Sequence, residues 1–533
     1  MRQRFSMIAM GLVLALAGNG ILGGCSGDDG SKETDAKEDV AGDLVGDLQG
    51  DSGSSDLESD LGPDVEVPKG ISRLSADGTK IVDEDGNTVT LRGVNLGAWM
   101  FHETWISQVG FTTAGRAYYL AKEMGILEDV AAVAAEVGHG YGTDVAVTFV
   151  CPGDGPMWLE KFGPALEAKI GADAAAEFLA ELAKLEIQCD DSDRKFRLTL
   201  AERFGADKRD ELLDTFQRAW LKEADIAWLA EQGFTVVRVP IGYRSLMTGA
   251  DADIPEKLNW NQAALDRLVE LVGWCEKHGI WAVIDIQEAP GGQNTYGTEA
   301  ALYGNPAMQE LTIELWKKLS ETFKDSDAVA AYSLLAEPYG APTEEARDEM
   351  YGRLVKAIRA GGDDHLLVIH DGFMGMESLP DPAKYGWTNV IYSTHLFEWN
   401  AKNLNAYTIL KTLYDGSFSK AQETQKVPYY IGSFSTLYNE SWAHEAAELM
   451  VGWYEEKGWS WSLWTYKRVE DFPGFELFGV KSSWGLRSTY LGEVRHPDPD
   501  LDDFEQFKAA MQSYEQLDFQ PDEGLLKALT SWK

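Results

Sequence analysis

Two hydrophobic rhythms take turns along this chain. From about Gly70, short apolar-polar alternations at 71–74, 79–82 and 88–91 read as strands, and Asp77-Gly78 and Asp85-Gly86-Asn87 supply the tight turns between them. This hairpin is expected to close the bottom of a barrel. The run 91–96 is then a first buried strand. Beyond residue 220 the pattern settles into a regular exchange of 3.6-period and continuous apolar segments. Helices are expected at 222–232, 261–278, 306–323 and 344–360. Buried strands are expected at 235–240, 280–286, 329–335, 366–370, 390–395, 429–431 and 459–464. The helices between the last three strands are weaker, and 445–457 is the clearest. Strands that alternate with helices argue for a parallel sheet, and this number fits a closed (β/α)8 TIM barrel. An open doubly wound sheet fits less well, because no glycine-rich phosphate turn follows the first strand.

Residues 110–215 break the alternation with alanine-rich helical stretches such as 174–185. Long insertions on a barrel belong in the loops after its strands, where ligands bind. The segment is read as a helical insertion after the first strand, either a cap beside the cleft or a subdomain with an interaction role of its own.

The N-terminus has a different pattern again. Arg2 and Arg4 precede an apolar stretch at 7–16, and Leu22-Gly23-Gly24-Cys25 fits a bacterial lipoprotein cleavage box. The expectation is a signal peptide over 1–24 and lipidation at Cys25. An ordinary secretion signal with an incidental cysteine is the competing reading. Between 26 and 68 there are 14 Asp/Glu against 2 Lys, a net of −12, with Gly and Ser interspersed. Such composition cannot support a core, so 25–69 is read as an acidic tether and 70–533 as the folded part. Ser26 after the cysteine favours an outer-membrane or cell-surface location, with the membrane contacted only through lipid.

The formal charge of −40 disfavours nucleic acid and anionic lipid as partners. A neutral polysaccharide or oligosaccharide is compatible with it, and 18 Trp offer stacking surfaces for sugar rings. Cys151 and Cys189 share the insertion, and an oxidising compartment would permit a bridge. Cys275 lies on an amphipathic helix and reads as a buried thiol. No CxxC pair or histidine cluster suggests a metal, and no cofactor is implied.

Ligands of such barrels meet the C-terminal strand ends. Those ends offer Asn95 and Glu103, Arg238, Gln287 and Glu288, Glu337, Asp371, His395 and Glu398, Ser433, then Trp464. The set suits a polyhydroxylated ligand. Several segments resemble glycoside hydrolase family 5, nearest its exo-β-1,3-glucanase-like branch. They are Leu91-Arg92-Gly93-Val94-Asn95-Leu96-Gly97-Ala98-Trp99, Glu103-Thr104-Trp105-Ile106, Val237-Arg238-Val239-Pro240-Ile241-Gly242-Tyr243, Ala289-Pro290-Gly291-Gly292-Gln293-Asn294 and Trp461-Ser462-Leu463-Trp464-Thr465-Tyr466-Lys467. The resemblance implies that Glu337 is the general acid/base and that Arg238 supports the nucleophile. It also implies that His395, Trp464, Glu103 and Trp105 contact sugar.

The departures from that pattern bear on activity. Ser433 stands where the resemblance implies a nucleophilic Glu, and Ala336 where it implies an Asn on the sugar 2-hydroxyl. Gln287-Glu288 replaces His-Gly, and Ser393 and Phe397 replace Asp and Tyr around His395. A hydroxyl without an adjacent base is a poor nucleophile, so standard retaining hydrolysis is expected to be lost. Three functions remain open: a lipid-anchored β-glucan-binding protein, a glycosidase with a relocated carboxylate (Glu288, Glu398 or Asp371), and a non-catalytic interaction lipoprotein that uses the insertion.

Overall fold

Eight parallel strands close into a barrel in the computed structural model. In chain order they are Arg92–Asn95, Val236–Gly242, Trp281–Glu288, Val329–Ser333, Leu366–His370, Val390–Phe397, Tyr429–Ser435 and Ser460–Leu463. Each pairs in parallel with the next, and the eighth returns to the first. The structure describes residues 71–109, 120–137, 156–184, 193–249, 255–294, 300–398, 401, 403–436, 441–470, 485–490, 497–499 and 502–533. All of them lie in the unit Glu66–Lys533. The expected signal peptide, Cys25, the acidic tether, Cys151 and Cys189 fall outside the described residues, as does the Trp105 side chain.

Local chemistry explains the outer ring of helices. Gln262–His278 starts at Asn261, whose side chain accepts the Ala264 amide, and stops at Gly279 in the left-handed region. Pro306–Phe323 opens with Pro in its first turn, capped by Asn305. Glu344–Ala360 is capped by Thr343. Each buries an apolar stripe against the strands. One helix is longer than its pattern suggests: Leu404–Gln425 runs 22 residues but buries only Tyr407, Leu410, Phe418, Ala421 and Gln425.

The N-terminal hairpin, Ser75–Asp77 with Lys80–Val82, extends to Thr88–Val89 as a three-stranded sheet. Its Leu74 and Ile81 share a buried cluster with Val236, Val283, Leu366 and Ile391, which lie in the N-terminal parts of the barrel strands. The hairpin therefore plugs that end, and the opposite end is left for chemistry.

The segment 110–215 divides in two. Leu127–Val137, Pro156–Ile170 and Ala172–Lys184 contribute to a small core of their own around Val130, Phe162, Leu166 and Phe178. By contrast, Phe196, Leu200, Leu212, Phe216 and Trp220 belong to the main barrel core. These come from helices Asp193–Phe204 and Ala206–Trp220, and the second runs through position 215. A boundary drawn at 215 from composition thus falls inside a helix. The apolar spacing on that helix serves the barrel, although its polar composition resembles the insertion's.

Candidate active site

Three layers of side chains lead from the barrel interior to the strand ends. The deepest is ionic. Arg238, on the second strand, is 1% exposed and lies 2.8 Å from Asp285 Oδ1 on the third strand, itself 0% exposed. Arg238 also donates to Asn95 Oδ1 at 2.7 Å and reaches Gln287 Oε1 at 3.4 Å. Asn95 in turn donates its amide hydrogens to the carbonyls of Gly432 at 3.1 Å and Leu463 at 3.0 Å. One guanidinium therefore ties the first, second, third, seventh and eighth strands together. Burial pushes the Asp285 carboxyl up, and Arg238 opposes the shift. Breaking such a pair from one side leaves an uncompensated buried charge.

The second layer holds Glu337 and His395. Glu337 follows the fourth strand and is 9% exposed, and its backbone adopts φ 46°. A non-glycine residue in the left-handed region carries strain and persists only where its surroundings impose it. His395, on the sixth strand, donates Nδ1–H to Glu337 Oε1 at 2.6 Å. A carboxylate can only accept here, so this bond fixes the tautomer and leaves Nε2 bare. Burial, helped by the Arg238 charge, holds His395 well below the ordinary imidazole range. His370 stands edge-on to it, with ring centroids 4.4 Å apart, and is held low in the same way.

The third layer is the end of the seventh strand. Ile431 pairs with Thr394 and Ser433 with His395, so Gly432 is an extra residue in a bulge. A Cβ on Gly432 would stand 3.0 Å from His395 Nε2 and 2.9 Å from Ser393 Oγ. Only glycine fits under the imidazole. Ser433 is 1% exposed, and its Oγ makes no hydrogen bond. Trp464 is buried just past the eighth strand, its amide bonded to Phe434 O at 2.8 Å. Glu103 precedes the short helix Thr104–Ser107 after the first strand.

The other acids are differently placed. Glu288 Oε1 accepts from Arg244 at 2.5 Å, and burial pushes its carboxyl up. Asp193 bonds Arg197 at 2.7 Å nearby and also accepts the His102 amide. Asp371 turns into its own loop, accepting the Phe373 amide and the Thr394 hydroxyl. A cavity of about 250 Å³ lies elsewhere, lined by Arg197, Asp214, Gln217, Ser245 and Arg267 among others. Among the described residues, no group of three or more His, Cys, Asp or Glu is placed to hold a metal ion.

The structure thus joins Glu337 to His395, sets Ser433 opposite His395 on the adjacent strand, and keeps Arg238 deeper in the barrel. Sequence reasoning missed Asp285 and the Glu288–Arg244 pair. A lone acid within the apolar run Ala282-Val283-Ile284-Asp285-Ile286 was the available signal for the first. No local signal marks the second, because Glu288 ends the third strand while Arg244 lies in the turn Tyr243–Leu246 after the second.

Residues 205–469 match the family model described as Cellulase (glycosyl hydrolase family 5). The chain therefore carries a domain of that family on a (β/α)8 barrel. It is 27% identical to a β-xylosidase of Phanerodontia chrysosporium over 60% of this chain and 51% of that protein. It is also 27% identical to glucan 1,3-β-glucosidase 2 of Saccharomyces cerevisiae over 40% of this chain and 41% of that one. The chain spans about half the length of the curated relatives it matches. Among solved structures it is similar to endoglucanase Cel5A of Thermotoga maritima, at 21% identity and a TM-score of 0.40, over 49% of this chain and 90% of that one.

Proposed function

We propose that this chain is a lipid-anchored, carbohydrate-binding derivative of a family 5 glycoside hydrolase, impaired in glycosidic bond cleavage. One observation carries the reading: the seventh strand ends in a serine, and the counter-charge of Arg238 comes instead from Asp285, buried beneath the site. Retaining hydrolysis needs two carboxyl groups about 5–5.5 Å apart. Here position 433, the cross-strand partner of His395, carries a hydroxyl, while Asp285 is fully enclosed and committed to a guanidinium. The relatives named as glucan 1,3-β-glucosidases support a β-glucan-type ligand.

Isothermal calorimetry with β-glucan oligosaccharides, run beside an assay on aryl β-glycosides, tests the reading. Binding without turnover is the expected result, and the absence of binding across a broad neutral glycan panel would overturn it. The anchor rests on Arg2, Arg4 and the Leu22-Gly23-Gly24-Cys25 box, followed by the acidic tether. Cys25→Ala is expected to move the chain from the membrane fraction to the supernatant. A second reading, hydrolysis with a relocated carboxylate, draws on Glu288, whose Oε2 is buried without a partner. It requires aryl glycoside turnover that both Glu337→Gln and Glu288→Gln abolish.

A further inference from the structure

We propose that Ser433, His395 and Glu337 form an acyl-transfer triad, and that the cleft removes ester-linked acyl groups from O-acylated saccharides. The substrate class rests on the glycan-binding reading above, whereas the chemistry rests on the triad alone.

A serine nucleophile needs a base on its hydroxyl and a third group that holds the base in the right tautomer. Glu337 is such a group. It binds the Nδ1 side of His395 at 2.6 Å, so the imidazole keeps its proton there and presents Nε2 as acceptor. Nε2 faces the seventh strand, as its closeness to the Gly432 position shows. Ser433 is the next residue and the direct cross-strand partner of His395, so the two side chains leave the same side of the sheet. The bulge at Gly432 lets the ring lie close against the strand that carries the hydroxyl.

Two further observations fit. Ser433 Oγ is buried and unbonded, a state that costs free energy and calls for a reason. His395 is kept neutral by burial and by Arg238, so it is ready to take a proton at neutral pH. The Oγ–Nε2 bond is not made in the resting structure. The triad closes on substrate, as catalytic hydrogen bonds absent from ligand-free enzymes commonly do.

The steps balance without a redox partner. Ser433 Oγ adds to the ester carbonyl carbon while its proton passes to His395 Nε2. The bond from that carbon to the sugar oxygen breaks, and the departing alkoxide takes the proton. Water then attacks acyl-Ser433, with Nε2 as base, and the proton returns to Oγ. The products are a carboxylic acid and a free sugar hydroxyl. A carbonyl carbon suits this nucleophile better than an anomeric carbon, where the missing carboxylate would be needed to share positive charge. Glu337 acts through His395 as a positioning residue.

The test uses the full chain with a fluorophosphonate probe, mass spectrometry of the labelled peptide, and acetate release from an O-acetylated glucan oligosaccharide. Ser433 is expected to carry the label. Ser433→Ala is expected to lose the label and to release acetate about 10²–10⁴-fold more slowly, as is His395→Gln. Glu337→Gln keeps an acceptor for Nδ1–H and should retain part of the labelling that Glu337→Leu loses, which a merely structural role would not predict. A folded parent chain that leaves Ser433 unlabelled, or Ser433→Ala with parental acetate release, would overturn the proposal. Calorimetry of the parent with unacylated oligosaccharide separates the two ideas. Labelling without glycan binding sinks only the saccharide substrate, and binding without labelling sinks only the triad.

Discussion

The fourth and seventh strands end differently. At the fourth, Glu337 sits in a strained backbone conformation, 9% exposed, with its carboxylate on His395. At the seventh, Ser433 is more deeply buried and its hydroxyl touches no partner. One end retains a polar group that its surroundings hold in place; the other retains the backbone framework without the group. Asn95 still bonds Gly432 O, and Gly432 still makes room for the imidazole. The scaffold around position 433 is therefore held together without a carboxylate there, because it has another source of charge balance. Asp285 is that source.

The largest test places a carboxylate at position 433. The double variant Ser433→Glu, Ala336→Asn is expected to raise aryl β-glucoside hydrolysis by about 10⁴–10⁶-fold over the parent, the scale on which catalytic groups act. A flat rate would count against the proposal that position 433 limits hydrolysis. Next in size is the buried ion pair. Arg238→Met, which strands the Asp285 charge, is expected to lower stability by about 3–5 kcal/mol in urea unfolding. Adding Asp285→Leu should recover most of that loss. If Arg238→Met alone cost nothing, Asp285 would not be the charge partner of Arg238.

Asp371, beside Thr394 on the strand of His395, gives a pH-dependent test. Burial holds its carboxyl up to about 6. Its folded value exceeds the ordinary one of about 3.9, so the folded state holds this proton more tightly. That stabilisation is complete below about pH 4 and is lost as pH rises through about 6. Asp371→Asn should therefore gain on the parent by up to about 3 kcal/mol between pH 4 and 7. The smallest effect belongs to the seventh strand. Ser433→Ala removes a hydroxyl that has no partner, so its unfolding free energy should stay level or rise by about 1 kcal/mol at most. A large loss would mean that Ser433 has a structural bond after all.

Much of the fold was legible because its signals are local. The helix Pro306–Phe323 was readable to the residue, since Asn305-Pro306 marks its start and its apolar spacing runs unbroken to Phe323. The eight strands were readable as apolar runs, with ends shifted by at most four residues and Leu366–His370 matched at both ends. Leu404–Gln425 was not, because few of its positions are buried. The candidate site was only half legible. Single residues such as Glu337 and Ser433 stood out at strand ends, but the partner of Arg238 lies on a neighbouring strand and inside the barrel. Sequence order gives no account of which charges meet there. Nor could it show that Gly432 is a bulge, since that depends on the register between two strands far apart in the chain.

The enclosed Arg238–Asp285 contact has a consequence for how such a protein can change. Because the guanidinium is neutralised from below, position 433 bears no electrostatic duty toward the barrel. Mutations there alter reactivity while the architecture stays whole, which leaves the strand end open to new chemistry at little structural risk.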